Sequence, residues 1–261
     1  MVYLQKKQRA RLSIVILTKI CLILFFSSML QGAVGFAFNI FAIPLLILSG
    51  LSLPASATVT SIPIFIQSFT SSYKLRRYIP YKDVIIGSIL RYLGLPIGIY
   101  ILIFLNDFKR ESVKQVIGVV ILCIVILQKY LKIKPKERVS FLWTFLAFFI
   151  SGITLGAVSM GGPPVVFWVM AHKWSALKIR AFLSALFFTA SPFLLALLYY
   201  NFKDTLQDYF ITGLLFTPVV VAGTLIGVKI GNRFDEKRLK KIILGFLILT
   251  SLVSILSPYF K

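Results

Sequence analysis

Apolar residues occur along this chain in long runs separated by short polar stretches. The runs lie at about 13–50, 58–73, 84–104, 113–128, 141–171, 181–200, 209–228 and 242–257. Roughly 17–25 apolar residues are enough for an α-helix to cross the hydrocarbon core of a bilayer. The pattern therefore predicts an all-α integral membrane protein with about eight transmembrane segments.

Residues that break helices interrupt two of these runs. The first contains Gly32-Ala33-Val34-Gly35 with Pro44 downstream, and the fifth contains Ser159-Met160-Gly161-Gly162-Pro163-Pro164. Glycine and proline disfavour a helix interior by about 1 and 3 kcal/mol. In hydrocarbon, a broken helix is tolerated where its freed backbone groups are buried in protein or line a cavity. We therefore predict two broken segments.

The runs form two sets of four that correspond element by element. Each set has a broken segment, an unbroken one, a glycine-containing one and, after a short charged loop, a final one. We predict one membrane domain over residues 1–261, with homologous halves at about 12–130 and 140–261. Paired interruptions in matching halves are a sequence sign of a transporter binding site. The glycines of the third segments are expected to pack helices closely.

Two membrane topologies fit the loops. If each broken segment crosses once, basic loop residues divide almost evenly between the two faces. If each enters and returns as a hairpin, the halves become inverted repeats and one face holds most basic residues. The positive-inside rule favours the second topology, although it places the basic amino terminus outside. The number of full crossings and the orientation of the termini are left open.

The composition excludes a soluble domain. The chain has 261 residues, of which 58% are hydrophobic and 14% charged, and its mean hydropathy is +0.91. Its net charge of +21 would suggest nucleic acid for a soluble protein, but the basic residues are spread over short loops. Lipid headgroups and topology signals account for that distribution, so we expect lipid contact and no nucleic acid. Residues 1–11 are expected to be retained rather than cleaved as a signal peptide, and Cys21 and Cys123 to be buried thiols.

The charges inside the apolar runs are positive. All eight acidic residues lie in loops or at segment ends, whereas Arg91 and Lys19 lie within runs. Many proton and cation transporters depend on intramembrane carboxylates, so their absence argues against a cation substrate. An intramembrane arginine costs at least ~2.5–3.5 kcal/mol on insertion scales. Arg91 is therefore a candidate anion contact or gate, the alternatives being snorkelling or pairing with a carbonyl.

The second break suits an anion. A helix that restarts at Pro163-Pro164 directs unpaired N–H groups, around Val165 to Phe167, and its positive dipole end into the break. Glycines there allow close approach, and in the first half Gln31 lies beside the matching residues. The alternative is a packing kink satisfied by neighbouring helices. The predicted substrate-binding residues are Gly32, Gly35, Asn39, Pro44, Arg91, Ser159, Gly161, Gly162, Pro163 and Pro164.

No residue pattern indicates catalysis. His172 is the only histidine and lies beside Lys173 and Trp174 at a segment end, where an interfacial anchor is expected. The sequence has no nucleophile-elbow, zinc-protease or phosphate-loop motif. We predict no enzyme, no catalytic residue, no metal and no cofactor.

Glycine and proline patterns also give the chain a family resemblance. They are Gly32-Ala33-Val34-Gly35-Phe36 leading to Pro44-Leu45-Leu46, Gly156 through Pro164, Arg180, and Gly227, Gly231, Arg233, Leu239-Lys240-Lys241 and Gly245. In these the chain resembles the sulfite exporter TauE/SafE family of bacterial membrane permeases, although Ala37 and Phe38 stand where more glycine is usual. The resemblance implies movement of sulfite, sulfonates and related small organic anions.

These observations predict a secondary transporter in the bacterial plasma (inner) membrane. It would move a small anion, such as sulfite, an organosulfonate or a related organic anion, by alternating access around the two breaks. The alternatives are an anion channel or pore and a non-transporting membrane assembly subunit. The identity of the substrate, the direction, the coupling ion and the oligomeric state, including a homo-oligomer, are left open.

Overall fold

A computed structural model describes residues 14–130, 139–231, 236–256 and 259. Within these residues the regular elements are helical and no strand occurs, which confirms the predicted all-α class. The basic amino-terminal stretch, the basic loop at 131–138 and Arg233 lie outside the described residues.

The described helices follow the predicted runs closely. In chain order they are α1 (Ile14–Val34), α2 (Phe38–Leu48), α3 (Leu53–Lys74), α4 (Tyr81–Asn106), α5 (Arg110–Tyr130), α6 (Phe141–Val158), α7 (Gly162–Met170), α8 (Ala176–Leu215), α9 (Thr217–Gly231) and α10 (Glu236–Leu256). A 3₁₀ turn at Arg76–Tyr78 links α3 to α4.

Both predicted breaks are present. Between α1 and α2 the chain turns at Gly35, whose φ of 98° favours glycine, and between α6 and α7 it turns at Ser159, with φ 56°. The short helix packs on the long one in each case, α2 on α1 and α7 on α6. Each broken run is therefore a long helix followed by a short helix in contact with it.

A further irregularity lies in the region predicted as segments six and seven. Helix α8 continues from the sixth segment into the seventh and has non-helical dihedrals only at Phe202 (φ −133°, ψ 17°). The seventh segment consists of Thr205–Leu215 and Thr217–Ile230, bent by 47°. Pro218 follows the bend, where a ring without an N–H group is tolerated in the first turn of α9.

Several helices are suited to crossing a membrane. In the described part of the chain, four are long and apolar enough, namely Val15–Ala33, Tyr81–Asn106, Phe141–Val158 and Ala176–Lys203, and the bent pair would be a fifth. Helix α3 carries many hydroxyl side chains, while α5 and α10 begin with charged residues. The lengths and compositions of these helices do not test the prediction of about eight spans in two homologous halves, which stays a prediction.

The outer surface of the helices is apolar. Large side chains such as Leu93, Tyr100 and Phe104 are 57%, 74% and 59% exposed, as a surface facing lipid requires. Cys123 is also exposed and Cys21 is half-buried, and both are free thiols. The prediction of two buried thiols is therefore wrong for Cys123, which points away from the core on α5.

Glycines allow two helix pairs to approach at backbone distance. A Cβ at Gly94 or Gly98 of α4 would meet the carbonyl oxygens of α6, and a Cβ at Gly227 of α9 would meet the carbonyl oxygen of Met29 in α1. Such contacts are typical of helix association in lipid, where small residues let the backbones approach. The predicted packing role of these glycines is confirmed.

The crossing of α1 and α9 gives a stability prediction. Gly227→Val should strongly reduce thermal stability, because the new side chain has no room beside Met29, and overpacking costs about 1–3 kcal/mol. Gly245→Val is the matched control, since it makes the same change in helix α10 where no atom lies within 4 Å of the added Cβ. Melting in detergent, followed by size-exclusion chromatography, measures both. Equal melting of the two variants would show that the close crossing is absent.

Candidate functional site

The two breaks are joined directly. The side-chain Nδ2 of Asn39, in the first turn of α2, donates a hydrogen bond of 2.6 Å to the carbonyl oxygen of Ser159. These residues are 120 positions apart in the sequence. The turn of one broken run is thereby fixed against the turn of the other.

The second break has the hydrogen bonding of a well-formed helix end. The N–H of Ser159 donates to the carbonyl of Leu155 at 2.9 Å, and that of Met160 donates to Thr154 at 3.2 Å. This is the pattern of a left-handed carboxyl-terminal cap, where glycine is the usual residue. The hydroxyl of Ser151 donates to the carbonyl of Gly161. The carbonyl group of Gly161 in the break is therefore hydrogen-bonded to a side chain of α6.

The start of α7 differs from the predicted restart. The helix begins at Gly162, with Pro163 and Pro164 in its first turn. In a helix that begins there, the N–H groups of Val166 and Phe167 bond along the helix, so for these two residues the prediction that they point into the break is wrong. The backbone that faces the break belongs to Gly161 and Gly162 instead.

A cavity of about 50 Å³ lies where the breaks meet. Its wall combines polar groups with aromatic and aliphatic side chains from α1, α2, α3, α4, α6 and α8. The lining residues are Gln31, Phe36, Phe38, Asn39, Ile40, Ser61, Ile64, Arg91, Leu155, Ser159, Met160, Gly161, Gly162, Phe187, Ala190, Ser191 and Leu194. This volume is larger than the roughly 10–15 Å³ that a cavity needs to hold one water, so the cavity has room for a small polar occupant.

Arg91 is the one cation in this wall, and its side chain has no exposed surface. Its Nη1 donates to the carbonyl of Leu186 at 3.2 Å, and its Cζ lies 5.9 Å from the centre of the Phe187 ring. A Cβ added at Gly161 would come within 2.9 Å of Nη2, so the guanidinium lies against the second break. The predicted inward orientation of Arg91 is confirmed, whereas Lys19 is exposed.

Hydrogen bonds between α4 and α8 hold the acceptor of Arg91 in place. Ser88 and Thr189 share a hydrogen bond of 2.7 Å, and the Tyr92 hydroxyl donates to the carbonyl of Thr189 at 2.7 Å. The Thr189 hydroxyl lies 3.1 Å from the Leu186 carbonyl oxygen that also accepts from Arg91. The guanidinium therefore rests on a fixed part of α8.

Four polar atoms around the cavity are buried without a hydrogen-bond partner. They are Nε and Nη2 of Arg91, Oδ1 of Asn39 and Oγ of Ser159. Buried polar atoms are nearly always hydrogen-bonded, so their clustering at one cavity indicates a place for a polar occupant. Two of the atoms carry N–H donors of a cationic group, which match the oxygens of an anion best.

Half of the predicted substrate-binding residues line the cavity, namely Asn39, Arg91, Ser159, Gly161 and Gly162. The other five have positions elsewhere in the two broken runs. Gly32 packs against the backbone of Thr224, Gly35 forms the first turn, Pro44 lies inside α2, and Pro163 and Pro164 begin α7.

Most of the other lining residues were missed from the sequence, among them Ser61, Phe187 and Ser191. These three lie in the second segments, α3 and α8, which have Pro63 and Pro192 near Ser61 and Ser191 but continue as helices through both prolines. Within the described residues, no group of three or more His, Cys, Asp or Glu side chains is placed to hold a metal ion.

These features define a multi-pass membrane protein with a small polar cavity between two broken helices. The family model described as Sulfite exporter TauE/SafE matches residues 20–254, nearly the whole chain. The chain therefore belongs to the sulfite exporter TauE/SafE family of membrane permeases, as its glycine and proline patterns predicted, and lies in the plasma membrane. Neither the curated proteins nor the solved structures gave a match.

The left-handed backbone at Ser159 gives a prediction for the break. Ser159→Gly should keep or raise stability, because glycine adopts φ 56° without the cost of about 1–2 kcal/mol that a side chain incurs there, and the Ser159 hydroxyl has no partner to lose. Ser159→Val should lower stability, since a β-branched side chain is poorly accommodated in this conformation. Thermal unfolding of the purified variants checks both. A large loss in Ser159→Gly would contradict the assigned turn.

Proposed function

We propose that this chain is a secondary transporter that moves a small anion, sulfite or a small organosulfonate, across the bacterial plasma membrane by alternating access. The observation that carries the proposal is the pair of unpartnered Arg91 nitrogens, Nε and Nη2, at the cavity between the two breaks.

The charge balance of the cavity favours an anion. A buried charge is costly unless it is paired and hydrogen-bonded. Arg91 has one carbonyl acceptor and one ring contact, while Asp83, Asp107 and Glu111 lie at helix ends. An oxoanion would supply both the opposite charge and acceptors for the two free nitrogens.

The volume of the cavity favours a small substrate. About 50 Å³ suits an inorganic oxoanion, whereas an organosulfonate requires the cavity to widen on binding. The lining that such an anion would contact is mixed, with hydroxyl groups of Ser61, Ser159 and Ser191 beside aromatic rings. A few placed polar groups in an apolar wall are typical of small-molecule sites.

The helix contacts support two structural repeats. The first segment of each proposed half packs on the third segment of the other, α1 on α9 and α6 on α4. The second segments, α3 and α8, pack together, and so do the fourth, α5 and α10. This reciprocal pattern is expected of a pseudo-twofold arrangement, in which the substrate site lies at the repeat interface. The sequence has no nucleotide-binding motif, so gradients would drive transport.

The burial of the cavity favours a transporter over an open pore. Arg91, Ser159 and Met160 are 0%, 1% and 1% exposed. A channel needs a continuous wet path during conduction, whereas alternating access needs only a site that is reached from one side at a time. The transporter is therefore the better proposal for this geometry.

Arg91→Leu should abolish transport of labelled sulfite while leaving the protein in the membrane. Removing an intramembrane charge eases insertion, so a loss of activity would reflect the anion contact rather than failed insertion. Lys19→Leu removes an exposed cation from another membrane helix and should transport normally. Uptake into proteoliposomes, normalised to reconstituted protein, measures both. Full activity in Arg91→Leu would contradict the assigned site.

Gly162→Val should place a side chain in the cavity. A Cβ at Gly162 would lie 3.5 Å from the Phe36 carbonyl oxygen and 4.0 Å from Phe187, which are ordinary contact distances. A lost anion contact is worth roughly 1.5–3 kcal/mol, or about ten- to a hundredfold in affinity. Sulfite transport should therefore fall at least tenfold in Gly162→Val at normal expression. Ser159→Ala should reduce sulfite transport by a smaller factor. Normal transport by Gly162→Val would show that the break is only a packing kink.

A further inference from the structure

Helix α3 carries a buried polar face that begins at the cavity. Ser61 and Ile64 line the cavity, and Ser68 and Ser72 follow on the same face at helical spacing. Ser61, Ser68 and Ser72 are 2%, 3% and 8% exposed, and the neighbouring Gln67 is 7% exposed. A row of buried hydroxyl and amide groups thus leads away from the cavity along one helix.

The far half of this face contains unpartnered polar atoms. Oε1 of Gln67 and Oγ of Ser72 are buried and have no hydrogen-bond partner. Nearer the start of α3, hydroxyl groups are satisfied by the helix itself, as in Ser61 to the Ala57 carbonyl at 2.6 Å and Thr60 to the Ser56 carbonyl at 2.9 Å. Unsatisfied buried atoms on a polar face indicate a passing polar ligand or water.

The face ends at a cluster of exposed cations. Lys74 is the last residue of α3, and Arg76 and Arg77 follow in the 3₁₀ turn, all three exposed. Eleven residues separate Ser61 from Ser72, about 16 Å along a helix. Clustered basic side chains at the mouth of a path raise the local concentration of anions.

Buried hydroxyl groups also occur on α3 before the cavity, but these are satisfied within the helix. Ser56, Thr58 and Thr60 are each 0% exposed. Their hydroxyl groups donate to backbone carbonyls of Ser52, Pro54 and Ser56, each at 2.9 Å. Within α3, the buried polar atoms without a partner, in Gln67 and Ser72, therefore lie between the cavity and the basic end.

We infer that the face formed by Ser61, Gln67, Ser68 and Ser72 is the path along which a small anion passes between the cavity and the basic end of α3. This inference rests on the proposed function. Hydroxyl and amide N–H groups can donate to the oxygens of an anion in turn, and neutral donors release it more readily than Arg91 would. The lower-energy position on the path is then the cavity itself.

Thiol accessibility tests the path. Single cysteines replace Ser68, Ser72 or Val59 in a background with Cys21→Ala and Cys123→Ala that is first shown to transport sulfite. Val59 is the control, because it is 0% exposed on the same helix but lies on the side opposite Ser68. The probe is 2-sulfonatoethyl methanethiosulfonate, a small anionic thiol reagent, applied to right-side-out and inside-out vesicles.

Ser68→Cys and Ser72→Cys should react at least about tenfold faster than Val59→Cys from one side of the membrane. Sulfite should slow the reaction, and the reacted variants should lose transport. Labelling no faster than that of Val59→Cys, in variants that still transport sulfite, would overturn the path and leave the proposed function standing. A background that shows no Arg91-dependent transport of any tested anion would instead overturn the proposed function.

Discussion

The burial of one guanidinium group governs the organisation of this protein. Arg91 has no exposed surface, yet only Nη1 has a hydrogen-bond acceptor, the carbonyl of Leu186. A buried positive charge with unpaired N–H groups destabilises the protein unless a negatively charged group binds beside it. The two broken helices, the cavity between them and the hydrogen bonds of Thr189 and Tyr92 all surround this charge.

Close helix packing sets the position of that charge. A Cβ at Gly152 would collide with the backbone oxygen of Arg91, and a Cβ at Gly161 would collide with the carbonyl oxygen of Ser151 and crowd Nη2. The glycines at the crossing of α4 and α6 therefore bring Arg91 to the second break. Helix packing and the shape of the cavity depend on the same small residues, so enlarging Gly161 would disturb both.

Much of the fold could be predicted from local sequence, because glycine and proline interrupt a helix at or next to their own positions. The turns at Gly35 and Ser159 lie within the predicted breaks. Contacts between distant residues could not be predicted, since nothing near Asn39 shows that its partner is the carbonyl of Ser159. Gly32 is a second example. A glycine that breaks a helix and a glycine that packs two helices together cannot be told apart in sequence. In the structure, Gly32 lies against the backbone of Thr224, which assigns it to helix packing. The hydroxyl of Ser61 gave no signal because serine also occurs in α3 as an ordinary helix residue.

The most direct test is a structure of the purified protein with selenite, a heavier analogue of sulfite, located by its anomalous scattering. The account predicts one selenite in the cavity, with oxygens about 2.7–3.1 Å from Nε and Nη2 of Arg91 and close to Gly161 and Gly162. Its signal should disappear in Arg91→Leu. Selenite bound elsewhere, with the cavity holding only water, would contradict the account.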